Sequence, residues 1–146
     1  MNRRTTLQFA AALGACLLLP LRAIAAWNKE AFNSRTAADA LKGLGVASST
    51  ESRDIAIDAP QIAENGAVVP IEITSNLPNT KSITVVIEKN PFPLAAKFDF
   101  GEAALPYVKV NVKMGESSFV RVLAEAGGRF YSASREVKVT IGGCGG

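Results

Sequence analysis

The sequence predicts an all-β protein, an immunoglobulin-like antiparallel β-sandwich preceded by a short N-terminal helical segment. Three observations carry this. From Ile55 onward apolar residues recur at every second position, the period of a strand with one buried face. Turn-forming residues separate these runs at short intervals. No helical pattern long enough for a crossover connection lies between them, which excludes a parallel α/β sheet. The Cys…Trp…Cys spacing of antibody domains is absent, so the architecture is expected without that hallmark.

The chain has 146 residues, room for one domain. Residues 1–25 read as a signal peptide and so predict export to the periplasm. Arg3-Arg4 form a positive start, Leu7 to Leu21 is almost wholly apolar, and Ala23-Ile24-Ala25 fits a small-residue cleavage site. The apolar stretch is too short and Ala-rich for a membrane anchor. The paired arginines, with Leu7 three places on, fit twin-arginine export. Thr6 stands where that pattern prefers Phe, which leaves the general secretory route as the alternative. Leu13-Gly14-Ala15-Cys16 resembles a lipoprotein box, but the apolar run continues through Leu17-Leu18-Leu19, where a lipoprotein turns polar.

Residues 26–53 read as an N-terminal helix and a linker. Thr36 is placed to cap a helix over Ala37 to Lys42, with Asp39 at the capping-box position and Gly43 or Gly45 to end it. Ala37, Ala40, Leu41 and Leu44 fall on one face at helical spacing, and Val46 to Arg53 reads as linker. Trp27, Phe32 and this helix are expected either to cap an end of the sandwich or to lie across a partner.

The sandwich is expected over residues 54–141. Its runs are Ile55 and Ile57; Val69, Ile71 and Ile73; Ile83, Val85 and Ile87; Phe98 and Phe100; Val108, Val110 and Val112; a run opened by Phe119; and Val137, Val139 and Ile141. Each is expected to bury one face and wet the other. Asn65-Gly66, Leu77-Pro78-Asn79, Asn90-Pro91, Met114-Gly115 and Gly127-Gly128 punctuate them.

Charge and cysteine count change once the leader is set aside. It holds Arg3, Arg4 and Arg22 and no acid, which leaves 13 basic against 13 acidic residues. A formal charge of zero gives no argument for nucleic acid as a partner. Cys16 leaves with the leader, so Cys144 has no intramolecular partner, and the domain folds without a disulfide. With no His and one thiol, no metal site and no cofactor is expected.

Residues 142–146 form the tail Gly142-Gly143-Cys144-Gly145-Gly146. Three residues at about 3.5 Å each carry the cysteine roughly 10 Å past Ile141, and glycine on both sides removes bulk and permits most backbone conformations. No Lys, Arg or His stands beside the thiol in sequence to activate it. Such a residue suits a carrier's attachment point, served by the sites of other proteins, better than a nucleophilic catalyst. Two rivals stand beside this reading: an exported structural module whose cysteine forms an interchain disulfide, and a redox enzyme, which lacks a resolving cysteine. Asn90-Pro91-Phe92-Pro93-Leu94 puts apolar bulk at a corner, to pack on a partner or fill the core. Lys109, Lys113, Arg121, Arg129, Arg135 and Lys138 are available to draw anions, although a solvated strand face explains them as well.

Leader, sandwich and cysteine tail together resemble the SoxY family, the sulfur-carrier subunits of the periplasmic thiosulfate-oxidising system. Ile62-Ala63-Glu64-Asn65-Gly66-Ala67-Val68-Val69-Pro70 and Glu88-Lys89-Asn90-Pro91-Phe92-Pro93-Leu94 add to the resemblance. It implies that Cys144 is the covalent sulfur attachment site, that Gly142, Gly143, Gly145 and Gly146 give it access, and that no residue is catalytic. It also implies a heterodimer with a SoxZ-like sandwich subunit, and transient contact with SoxAX, which joins thiosulfate to the cysteine. SoxB, which hydrolyses off sulfate, and a sulfane dehydrogenase complete the implied set of partners, with neither nucleic acid nor membrane among them.

Overall fold

The computed structural model describes residues 27–140. The predicted leader with Cys16, Ile141 and the Cys144 tail all lie outside them. Two short helices come first, α1 (Lys29–Asn33) and α2 (Ala37–Gly43). Asn28 caps α1, its Oδ1 accepting from the Ala31 N–H at 3.0 Å, and its amide donates to the Gly43 carbonyl at 2.7 Å, which ties the two helices together. Thr36 caps α2 as its sequence predicts, Oγ1 accepting from the Asp39 N–H at 3.1 Å.

Nine strands follow: β1 (Thr50–Glu51), β2 (Ile55–Asp58), β3 (Ile62–Ala63), β4 (Val69–Ser75), β5 (Thr80–Ile87), β6 (Leu94–Asp99), β7 (Tyr107–Val112), β8 (Ser118–Ala126) and β9 (Arg129–Val139). The larger sheet runs β1-β9-β8-β5-β6, with β3 also on β9; the smaller runs β2-β4-β7. All long pairings are antiparallel, as expected. The two-residue strands β1 and β3 pair in parallel with β9, so the stretch read as a linker contributes an edge pairing, Thr50 beside Tyr131 and Glu51 beside Ser132. The last strand starts earlier than its apolar run, because β8 and β9 form a long hairpin. Gly127 and Gly128 turn it at φ 57° and 75°, two consecutive left-handed residues that suit the twist of paired strands.

The main core lies between the sheets. Val69, Ile71 and Ile73 of β4 meet Ile83, Val85 and Ile87 of β5, Val120 and Val122 of β8 and Val137 of β9. The expectation that every strand wets one face fails for β5 and β8. Every residue from Ser82 to Ile87 is buried, as are Val122, Leu123 and Ala124. A second apolar cluster explains this: Val86, Leu94 and Leu123 on the outer face of the large sheet are covered by Ala31 and Ala40, with Phe32, Ala37, Leu41, Leu44 and Val46 around them. The helical segment thus lies on the chain's own sheet. The Asn90–Leu94 corner joins the same layer, with Pro93 and Leu94 buried and the Arg35 guanidinium 4.2 Å above the Phe92 ring.

Candidate functional site

Cys144 and its four glycines lie past Thr140, outside the described residues, so the site is built here from the scaffold that launches them. The chain leaves the sandwich at one pole, where β5, β7 and β9 end and β4, β6 and β8 begin. Here β9 is held from both sides. On one side the Lys138 N–H donates to the Gln61 carbonyl at 2.9 Å, and the Thr140 N–H to the Ala63 carbonyl at 3.1 Å. On the other the Val139 N–H donates to Ser117 Oγ at 2.9 Å. Each bond contributes about 1 kcal/mol net, and Val137 beneath them is fully buried. The backbone is therefore fixed up to Thr140.

Two further contacts brace this pole. The Met114 N–H donates to the Gly66 carbonyl at 2.7 Å, and Gly66 lies so close that a Cβ there would stand 2.9 Å from Val139 Cγ1 and overlap the Met114 carbonyl oxygen. Asn90 joins two loops, its amide donating to the Lys113 carbonyl at 2.7 Å and its Oδ1 accepting from the Gly115 N–H at 3.3 Å. Gly66 and Asn90 fall in the two segments that carry the family resemblance, and both brace the launch point of the tail. Their roles are not written in local sequence, since each depends on residues far along the chain. Ser117 was missed altogether, its only signal being a polar residue just before a strand.

The six cations singled out in the sequence do not converge. Arg121 pairs with Glu88 at 2.8 Å on the large sheet, and Arg135 donates to the Ile57 carbonyl at 3.2 Å. Arg129 follows the β8–β9 turn at the opposite pole. Lys109 lies on the small sheet 2.6 Å from Glu72, which also accepts from the Tyr107 hydroxyl at 2.8 Å. The Lys109 contact first, then that of Tyr107, holds the Glu72 carboxyl below its ordinary range. The same bond to Glu72 raises both Lys109 and Tyr107. Of the six, only Lys113 and Lys138 stand at the pole where β9 ends, so the solvated-face reading describes the others.

A β-sandwich whose last described strand is pinned up to Thr140, with Cys144 four residues further on in sequence, defines a rigid scaffold module with no catalytic cluster among the described residues. Residues 41–144 match the family described as sulfur oxidation protein SoxY, a match that ends on Cys144 itself. The chain belongs to the SoxY family. Among solved structures it is similar to the sulfur carrier protein SoxY from Chlorobium limicola f thiosulfatophilum, at 37% identity and a TM-score of 0.63, covering 71% of this chain and 96% of that one. A superoxide reductase (neelaredoxin) from Ignicoccus hospitalis aligns at 19% identity and TM-score 0.53, over 60% of this chain and 81% of that one. A putative superoxide reductase from Thermotoga maritima aligns at 20% and 0.52, over 59% and 85%. These two share the sandwich fold alone. A comparison with curated proteins found no match.

Proposed function

We propose that this chain is a non-enzymatic, periplasmic sulfur carrier that holds thiosulfate-derived sulfur covalently on Cys144 and presents it to partner enzymes. The observation that carries the reading is the SoxY-family match running to Cys144; the rigid launch point at Thr140 supports it. In the first step an S–S bond forms between the cysteine sulfur and the sulfane sulfur of thiosulfate. The thiol proton goes to solvent, and two electrons pass to a c-type cytochrome partner of SoxAX type. Water then cleaves the sulfone sulfur away as sulfate in a SoxB-type site, which leaves a persulfide on the carrier. A sulfane dehydrogenase oxidises that sulfur in hosts that possess one. Cysteine suits the task because its S–S adducts are cleaved again by a second nucleophile. A SoxZ-like sandwich subunit is the stable partner, and Gly142, Gly143, Gly145 and Gly146 let the arm enter narrow sites.

Intact mass of the protein from thiosulfate-grown cells, taken without reductant and again with it, tests this. Reductant-labile sulfur adducts are expected on the C-terminal peptide, and a Cys144→Ser chain should fold and export normally yet carry none. A wild-type mass showing only free thiol or a disulfide-linked dimer would replace the carrier with a structural module.

A further inference from the structure

The described residues expose seven large hydrophobic side chains, and four of them, Ile62, Val68, Phe92 and Phe119, lie at the pole from which the tail departs. Register places them. Ile62 pairs with Lys138, two residues before Thr140. Phe119 lies opposite Glu136 on the neighbouring strand. Val68 precedes β4 beside Gly66, which packs on Val139. Phe92 belongs to the loop that Asn90 binds to Lys113 and Gly115. Ile62 is 59% exposed, Val68 53%, Phe119 46% and Phe92, even beneath the Arg35 guanidinium, 44%, a costly display of apolar surface to water.

What meets them follows from the length of the tail. Cys144 stands four residues after Thr140, so its Cα reaches at most about 14 Å beyond the fixed backbone. An enzyme acting on that sulfur inside its own site must bring its surface against this pole, because the tether permits no larger gap. We propose that Ile62, Val68, Phe92 and Phe119 form the docking rim for the enzymes that process the loaded cysteine. The fitting partner has its reacting centre at the end of a channel no deeper than about 14 Å and an apolar surface around the mouth. The exposed charges of the pole, Glu64, Glu116 and Glu136 against Arg35, Lys89, Lys113 and Lys138, differ by only one in number. Attraction then rests on apolar contact rather than on a field of one sign, and docking should depend only weakly on salt. This inference rests on the carrier reading.

The test separates loading from docking. Tetrathionate loads the full-length chain without any protein: the cysteine thiolate attacks a sulfane sulfur, a Cys–S–S–SO₃⁻ adduct forms and thiosulfate leaves. Sulfate release by the purified SoxB-type hydrolase is then followed against carrier concentration at two salt concentrations. Ile62→Asp and Phe119→Asp should load as wild type, while kcat/KM for sulfate release falls about tenfold or more, as for side chains central to an interface, chiefly through KM. Ile62→Ala and Phe119→Ala should show a smaller loss in the same direction, with unchanged thermal unfolding. Leu105→Asp, at an 83% exposed position on the loop between β6 and β7, should match wild type. Rim variants that turn over normally, or a Leu105→Asp chain as impaired as they are, would overturn the docking rim. So would rim variants that lose only a self-association, or only the SoxZ-like subunit, as seen by gel filtration. A loaded wild-type chain that releases no sulfate would sink the carrier reading and this inference together.

Discussion

At the scale of single residues, the pole of the tail is set by atoms that leave no room. Asn65-Gly66 announces itself in sequence as a turn, and it is one: the Ala67 N–H donates to Asn65 Oδ1 at 2.9 Å. What the dipeptide does not announce is the crowding of Gly66 by Met114 and Val139, since those contacts exist only once β7 and β9 are folded beside it. Its φ is not left-handed, so close approach rather than backbone freedom is what demands glycine there. Gly66→Ala should therefore push the Met114 carbonyl or the end of β9 aside and cost about 1–3 kcal/mol, the range for forcing atoms into a packed site. Urea unfolding measures the loss. Unaltered stability would mean that the pole yields easily and does not fix the tail's starting direction.

At the scale of elements, the sequence was legible where one rule acted alone. Thr36 with Asp39 marked α2, and the period-two runs marked the sandwich strands, because cap chemistry and alternation are local. Where two layers act on one strand, alternation fails as a guide. Val86 interrupts the Ile83, Val85, Ile87 series with a further apolar residue, and Leu123 does the same in β8. Those interruptions were the available sign that the large sheet is covered on its outer face. Helix α1, with five residues, carried too little periodicity to be read, and β1 and β3 are two-residue pairings with none. The outer layer makes its own prediction. Leu123 is 2% exposed and packs beneath the helices, so Leu123→Ala should destabilise by about 2–4 kcal/mol, transfer plus cavity. Because the helices sit on that side chain, proteolysis between Trp27 and Val46 should quicken before the sandwich unfolds. Cleavage that appears only with global unfolding would show the helical segment and the sandwich to be one cooperative unit.

At the scale of the whole molecule, the residue proposed for attachment stands out in the sequence and the pole it departs from does not. Cys144 stands out as a lone thiol among glycines, whereas the rim gathers residues 62, 68, 92 and 119 through sheet topology that no local pattern records. Together they describe a short arm on a rigid post, and reach is the property that joins them. Deleting Gly142 and Gly143 brings the sulfur about 7 Å closer to Thr140. Loading by tetrathionate involves no docked protein and should proceed as before. Sulfate release should fall by at least about tenfold, because the rim meets the partner before the sulfur arrives and a misplacement far smaller than 7 Å already removes much of an enzyme's rate. Adding two glycines at the same place should do little harm, since lengthening a tether lowers the local concentration of the sulfur only gradually. This asymmetry distinguishes a reach-limited arm from a merely disturbed tail, for which lengthening and shortening would be equally harmful. A shortened chain turned over at the wild-type rate would place the reacting centre of the partner at its surface, and neither the arm nor the rim would then have the purpose argued for them.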